Sequence, residues 1–238
     1  MCIRDSNNGN DTLLGCNGID TLFGGNSNDS VNGNSGNDRV NGNAGNDTLF
    51  GGLGNDILFA GTGEDQLFGG EGNDVLWGQA DNDIVVGGAG NDVLYGNNGN
   101  DVLVGGDGVD SLFGNTGNDS LVGESGNDIL FGQDGSDTLF GGEGNDTLWG
   151  GAGSDRFELS RGENIGVDRV KDYVDGVDKF LLSDKFGLGS LAFNDLTITQ
   201  SGNNAQIKIT ENNQILAVVE NTNIEKLDAS DFVNVSFG

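Results

Sequence analysis

An apolar side chain returns at every ninth position along most of this chain: Leu13, Leu22, Val31, Val40, Leu49, Leu58, Leu67, Leu76, Val85, Leu94, Leu103, Leu112, Leu121, Leu130, Leu139, Leu148 and Phe157. One inward residue flanked by two that point the other way is the alternation of a very short strand. Glycine precedes that apolar residue by seven positions in fifteen of the seventeen units, and by four positions in another set of fifteen. Glycine supplies the φ > 0 conformations that tight turns need, so each unit reads as a turn followed by a strand. Nine residues built this way leave no room for a helix.

The position after the inward residue carries a longer period. In alternate units it is Phe23, Asn41, Phe59, Trp77, Tyr95, Phe113, Phe131 and Trp149. In the intervening units it is Leu14, Asn32, Phe50, Phe68, Val86, Val104, Val122, Phe140 and Glu158. Aromatic residues dominate only the first set, so the structural repeat is eighteen residues, two turns and two strands per coil. This predicts an all-β chain folded as a right-handed parallel β-roll with two parallel sheets. Each strand pairs with the one eighteen residues away, at roughly 4.8 Å. A single unit buries too little to be stable, so order spreads by stacking.

The pattern stops after Phe157. Residues 159–238 read as short strands (Asp168–Tyr173, Lys179–Leu182, Leu196–Gln200, Ala205–Thr210 and Ile215–Val219) separated by turns. The expected domains are a roll over 6–158 and a small C-terminal β cap or sandwich-like region over 159–238, covering strand edges otherwise left open. Residues 1–6 fit no repeat and have no apolar signal-peptide core. They resemble a translated sequencing-library adapter, so they are read as a non-native leader, with the natural protein beginning upstream. On that reading Cys2 belongs to the leader, Cys16 stands alone, and no intrachain disulfide is expected.

Composition narrows the chemistry. There are 45 Gly, no His and no Pro, and 38 acidic against 10 basic residues give a formal charge of −28. Without histidine there is no Ser/His/Asp or Cys/His machinery and no imidazole metal site. So acidic a surface repels nucleic acid and anionic membranes. No G-x-S-x-G, H-E-x-x-H or P-loop is present, so the chain is expected not to be an enzyme, although a catalytic domain upstream would escape this reading. No transmembrane segment is expected.

The acidity has a position. Two residues before each inward apolar side chain stands an aspartate: Asp11, Asp20, Asp29, Asp38, Asp47, Asp56, Asp65, Asp74, Asp83, Asp92, Asp101, Asp110, Asp119, Asp128, Asp137, Asp146 and Asp155. Stacking aligns them in two rows, one on each edge of the roll. Neighbouring carboxylates about 5 Å apart repel by roughly a kcal/mol even in water. A divalent cation between coils removes that cost, and calcium, which accepts six to eight hard oxygen ligands, suits it best. The other ligands would be turn carbonyls such as those of Gly51, Gly54, Gly69, Gly72, Gly87, Gly90, Gly105, Gly108, Gly123, Gly126, Gly141 and Gly144. Aspartates in Gly-rich turns also cap their own backbone without metal, but capping does not account for so many like charges in register. Ser27 and Asp81 replace the second glycine, and Ser6 and Ala60 the first, so sites there and at the ends are the weakest.

The unit G-x-x-G-N-D-x-L-x, shown in full by Gly51-Gly52-Leu53-Gly54-Asn55-Asp56-Ile57-Leu58-Phe59, resembles the RTX (hemolysin-type) nonapeptide of calcium-binding parallel β-rolls over residues 6–158. The resemblance implies one ion between successive turns on the same edge. Nine odd turns then give eight sites and eight even turns seven, a ceiling of fifteen. The run Val167–Tyr173 followed by Gly176–Leu182 resembles the segment after the repeats in type I-secreted RTX proteins. That implies an uncleaved export signal, contact with type I secretion machinery, and a secreted or cell-surface bacterial protein; a plain β cap is the other reading. Asp168, Asp172, Asp175 and Asp178 would hold one more ion or, as expected here, be solvated turn carboxylates.

The functional expectation is a secreted module that folds as it binds calcium. One alternative is the C-terminal part of an exported RTX protease, lipase or hemolysin, and another is a structural or adhesive surface protein. The stripe Phe59, Trp77, Tyr95, Phe113, Phe131 and Trp149 is either a partner surface, for a ligand or for self-association, or cross-strand packing that stiffens one face.

Overall fold

The computed structural model of the protein describes residues 3–160, 166–183 and 191–234. The chain coils as a parallel β-roll whose two sheets take alternate strands, and no α-helix occurs among the described residues. One sheet runs Ile3–Asp5, Thr21–Asn26, Arg39–Ala44 and onward every second strand to Thr147–Ala152; the other runs Thr12–Leu14, Ser30–Ser35, Thr48–Leu53 and onward to Arg156–Ser160. The register is the expected eighteen, as in Leu94 opposite Leu112 and Tyr95 opposite Phe113. Even Ile3–Asp5, within the stretch read as a leader, pairs with Thr21–Phe23.

The core lies between the sheets as a double row. Apart from Leu13, the inward residues of the seventeen units, from Leu22 to Phe157, have no solvent exposure. Each fully buried leucine contributes about 1.5–3 kcal/mol from its apolar area. The second inward position of each strand from Thr21–Asn26 to Thr147–Ala152 is glycine or alanine, and Arg156–Ser160 carries Leu159 there.

The C-terminal region continues both sheets of the roll. Asp168–Val170 pairs parallel with Thr147–Ala152, and Lys179–Ser183 with Arg156–Ser160; Ile215–Val219 and Phe232–Asn234 each add one further parallel strand. Pairing shifts to intervals of 22 and 23 residues there, Thr147 lying opposite Arg169 and Arg156 opposite Lys179. Among the described residues the antiparallel pairing is that of Leu196–Ser201 with Asn204–Ile209 and of the latter with Ile215–Val219, at the end of one sheet. Cys16 is disulfide-bonded, which corrects the expectation of no disulfide. The chain's other cysteine, Cys2, lies outside the described residues.

Candidate metal centre

Each turn places an aspartate at the mouth of the next strand, with its side chain folded under the bend. From Asp20 to Asp155 these residues are no more than 3% exposed. Each aspartate N–H donates to Oδ1 of the aspartate one coil later: Asp11 to Asp29, Asp47 to Asp65 (2.6 Å), Asp83 to Asp101 (2.8 Å), Asp137 to Asp155 (2.9 Å). The other row does the same from Asp20 through Asp38, Asp56 and Asp110 to Asp128 and Asp146. The seventeen sequence-predicted aspartates are thus brought into two continuous ladders, and one oxygen of each, from Asp20 on, is used where described.

The other oxygen is not. Oδ2 of Asp11, Asp29, Asp38, Asp47, Asp56, Asp65, Asp74, Asp83, Asp92, Asp101, Asp110, Asp119, Asp128, Asp137, Asp146 and Asp155 is buried without a hydrogen-bond partner. A buried ionised oxygen left alone is among the costlier features a fold can carry. Asp20 is the exception, its Oδ2 accepting the Cys16 N–H at 2.6 Å.

Glycine seven places before the inward apolar residue is explained by this oxygen rather than by its φ. A Cβ at Gly51 would lie 2.5 Å from both Asp56 Oδ2 and the Gly69 carbonyl oxygen, and one at Gly105 would lie 2.5 Å from Asp110 Oδ2 and 2.8 Å from the Gly123 carbonyl. A carboxylate oxygen and a carbonyl from the next coil converge on a space that only glycine leaves open. The carbonyls of Gly69, Gly87, Gly105, Gly123 and Gly141 all face such a space, while those of Gly54, Gly72, Gly90, Gly108 and Gly126 pack against the following glycine of their own row. Two departures act here: Ala60 is fully buried with its methyl in that place, and the Ser6 hydroxyl donates to the Gly24 carbonyl. The second glycine position needs a left-handed backbone, and where Ser27 and Asp81 replace it they keep φ of 79° and 75°.

The electrostatics follow from burial. It pushes Asp47, Asp56, Asp101, Asp110, Asp119 and Asp146 up to about 6, Asp65, Asp74, Asp128 and Asp137 to about 7, and Asp83 to about 8. The N–H from the preceding coil opposes the rise in each case, and for most of them the charge of a row neighbour adds to it. The donor set is hard oxygen throughout, which fits calcium and offers nothing to softer metals.

An opposing ladder had no reading in the sequence. Asparagine just before the aspartate accepts at Oδ1 from the backbone one coil later, as in Asn73 to Asn55 (3.0 Å) and Asn118 to Asn100 (2.7 Å). Each aspartate side chain clamps its coil to the one before and each asparagine side chain to the one after, so the recurring Asn-Asp pair holds a coil on both sides.

The aromatic stripe is a closed stack. Phe59, Trp77, Tyr95, Phe113, Phe131 and Trp149 follow one another at 4.6, 5.6, 4.9, 5.1 and 4.4 Å between ring centroids, with planes within 15° of parallel. Each inner ring spends both faces on its neighbours. The end rings meet cations, the Arg39 guanidinium 4.3 Å from Phe59 and the Lys171 ammonium 5.9 Å from Trp149. The open cleft of about 440 Å³ in the cap is lined by Gln200, Gly202, Asn203, Asn221 and Asn223, none of them titratable.

A parallel roll with paired carboxylate ladders and orphaned hard oxygens defines a repeat protein built around cations. Seven overlapping segments, 5–40, 32–67, 59–94, 77–112, 95–130, 104–139 and 131–165, match the RTX calcium-binding nonapeptide repeat, and the chain belongs to that family. No curated protein matches it. Among solved structures it is similar to the AlgE6R3 subunit of the mannuronan C5-epimerase of Azotobacter vinelandii, at 29% identity over 53% of this chain and 78% of that one, with a TM-score of 0.42. The AlgE6R2 subunit of the same epimerase shares 24% identity over 55% and 91%, TM-score 0.42. The extracellular lipase LipA of Serratia marcescens shares 15% identity over 96% of this chain and 40% of the lipase, TM-score 0.40.

Proposed function

We propose that this chain is a secreted module whose chemistry is calcium-driven folding. Ions bind between successive coils of each edge, held by Asp Oδ2 atoms of two neighbouring turns and by turn carbonyls such as those of Gly69, Gly87, Gly105, Gly123 and Gly141. The observation that carries the reading is the set of sixteen buried, unpartnered Oδ2 atoms in two in-register rows. Where calcium is scarce, as in a cytosol, the cost of these oxygens keeps the repeats unfolded and exportable. At millimolar calcium outside the cell, binding free energy becomes folding free energy.

In this reading residues 6–158 hold the ions and 159–238 terminate the roll and carry the export signal, and the module catalyses nothing itself. Calcium bound at saturation, counted by equilibrium dialysis of the full chain, is expected to approach the ceiling of fifteen set by seventeen turns. Binding of one or two ions would count against it.

A further inference from the structure

The even-numbered row does not end where the nonapeptides end. Gly166-Val167-Asp168, lying 22 residues after Gly144-Asn145-Asp146, reproduces the close of the repeat turn in three dimensions. Gly166 adopts a left-handed φ of 62° and stacks on the Gly144 carbonyl, and the Val167 N–H donates to Asn145 Oδ1 at 3.1 Å. Asp168, 8% exposed, accepts the Asp146 N–H on Oδ1 at 3.2 Å. Asp146 itself has no exposure, its Oδ2 is without a hydrogen-bond partner, and its carboxyl lies in side-chain contact with that of Asp168. On another side Asp168 lines a small cavity of about 10 Å³ with Phe140, Gly142, Glu158, Leu159, Ser160 and Leu216, which Asp146 does not reach, and Glu158 Oε1 is likewise buried and unpartnered.

The odd row has an apparent equivalent in Asp178, which accepts the Asp155 N–H on Oδ1 at 3.0 Å. Its Oδ2, however, accepts the Val174 N–H at 2.7 Å. Asp172, close by, uses both oxygens on the N–H groups of Gly150 and Gly151, each at 2.9 Å. Protein donors have closed this end as Cys16 closes Asp20.

We infer that Asp168 completes one calcium site with Asp146 beyond those the nonapeptides supply, and that Asp178 completes none with Asp155. The last ion of the even row then joins the roll to its cap. The inference rests on the proposed function and adds residues that no nonapeptide contains. The test is an anomalous difference map of calcium-loaded crystals of the full chain, with Asp168→Asn alongside. A peak between Asp146 and Asp168, no peak between Asp155 and Asp178, and loss of the first alone in Asp168→Asn are expected. Interior peaks with nothing but water at Asp146–Asp168, or peaks at both ends, would overturn the inference while leaving the proposed function standing. A map without interior peaks would overturn both. Should Asp168→Asn not crystallise, the wild-type map alone decides between these outcomes.

Discussion

The Asp83 N–H donates to Asp101 Oδ1 at 2.8 Å and leaves Asp101 Oδ2 buried and alone. One carboxylate thus fastens coil to coil through one oxygen and leaves the other for the proposed cation. Because the two oxygens differ in this way, the two roles can be separated by substitution.

Asp101→Asn keeps a carbonyl oxygen for the Asp83 N–H and replaces the orphan with an amide. It is expected to remove binding at the two sites that share this residue and to raise several-fold the calcium concentration needed for folding. Asp134→Asn, at an exposed carboxylate ending the strand Ile129–Asp134, is expected to leave both unchanged. Calcium titrations followed by circular dichroism compare them directly.

Gly105→Ala places a methyl between Asp110 Oδ2 and the Gly123 carbonyl, closer to both than real side chains come. The expected result is loss of one ion and about 1–3 kcal/mol of overpacking cost. Dialysis stoichiometry and thermal unfolding in saturating calcium read the two effects separately.

Much of this was legible in the sequence, for a physical reason. Between Asp11 and Asp155 no insertion breaks the nine-residue spacing, so strand, turn, eighteen-residue coil and both carboxylate rows could be placed by arithmetic. Beyond Phe157 the coil intervals lengthen to 22 and 23 residues, and periodicity cannot follow. Asp168 and Asp178 therefore passed for solvated turn residues, whereas both are buried members of the rows. The Asn ladder went unread because one asparagine in a turn looks like local capping, and only stacking shows that its acceptor serves the next coil.

Acidity should do part of calcium's work. In the folded, metal-free roll burial holds Asp56, Asp74 and Asp83 at about 6, 7 and 8, against about 3.9 for an unfolded aspartate. Carboxyls raised in the fold bind protons more tightly there, so their stabilising contribution is complete below about pH 4 and is lost as pH rises through 6 to 8. Metal-free protein at pH 5 is expected to show more β signal than at pH 8. Calcium binding is expected to weaken over the same interval as pH falls, because protons and ions compete for the same oxygens. Dichroism of chelator-treated protein against pH checks the first, and calcium titrations at pH 5.5 and 7.5 the second.

The aromatic stack offers solvent mainly ring edges, since Tyr95 lies between Trp77 at 5.6 Å and Phe113 at 4.9 Å. Tyr95→Ser is expected to cost about 1–3 kcal/mol, from two stacking pairs at about 0.5–1.5 kcal/mol each. It should lower the melting temperature in calcium without changing the sedimentation coefficient. A shift from oligomer to monomer would instead assign the stripe to self-association.

The central claim is that calcium, not the chain alone, makes the roll. Far-UV circular dichroism of the full chain, first in chelator at pH 7.5 and then through a calcium titration, tests it most directly. The account predicts a largely unfolded spectrum that converts cooperatively to β structure as calcium rises. An unchanged β spectrum in chelator would contradict it.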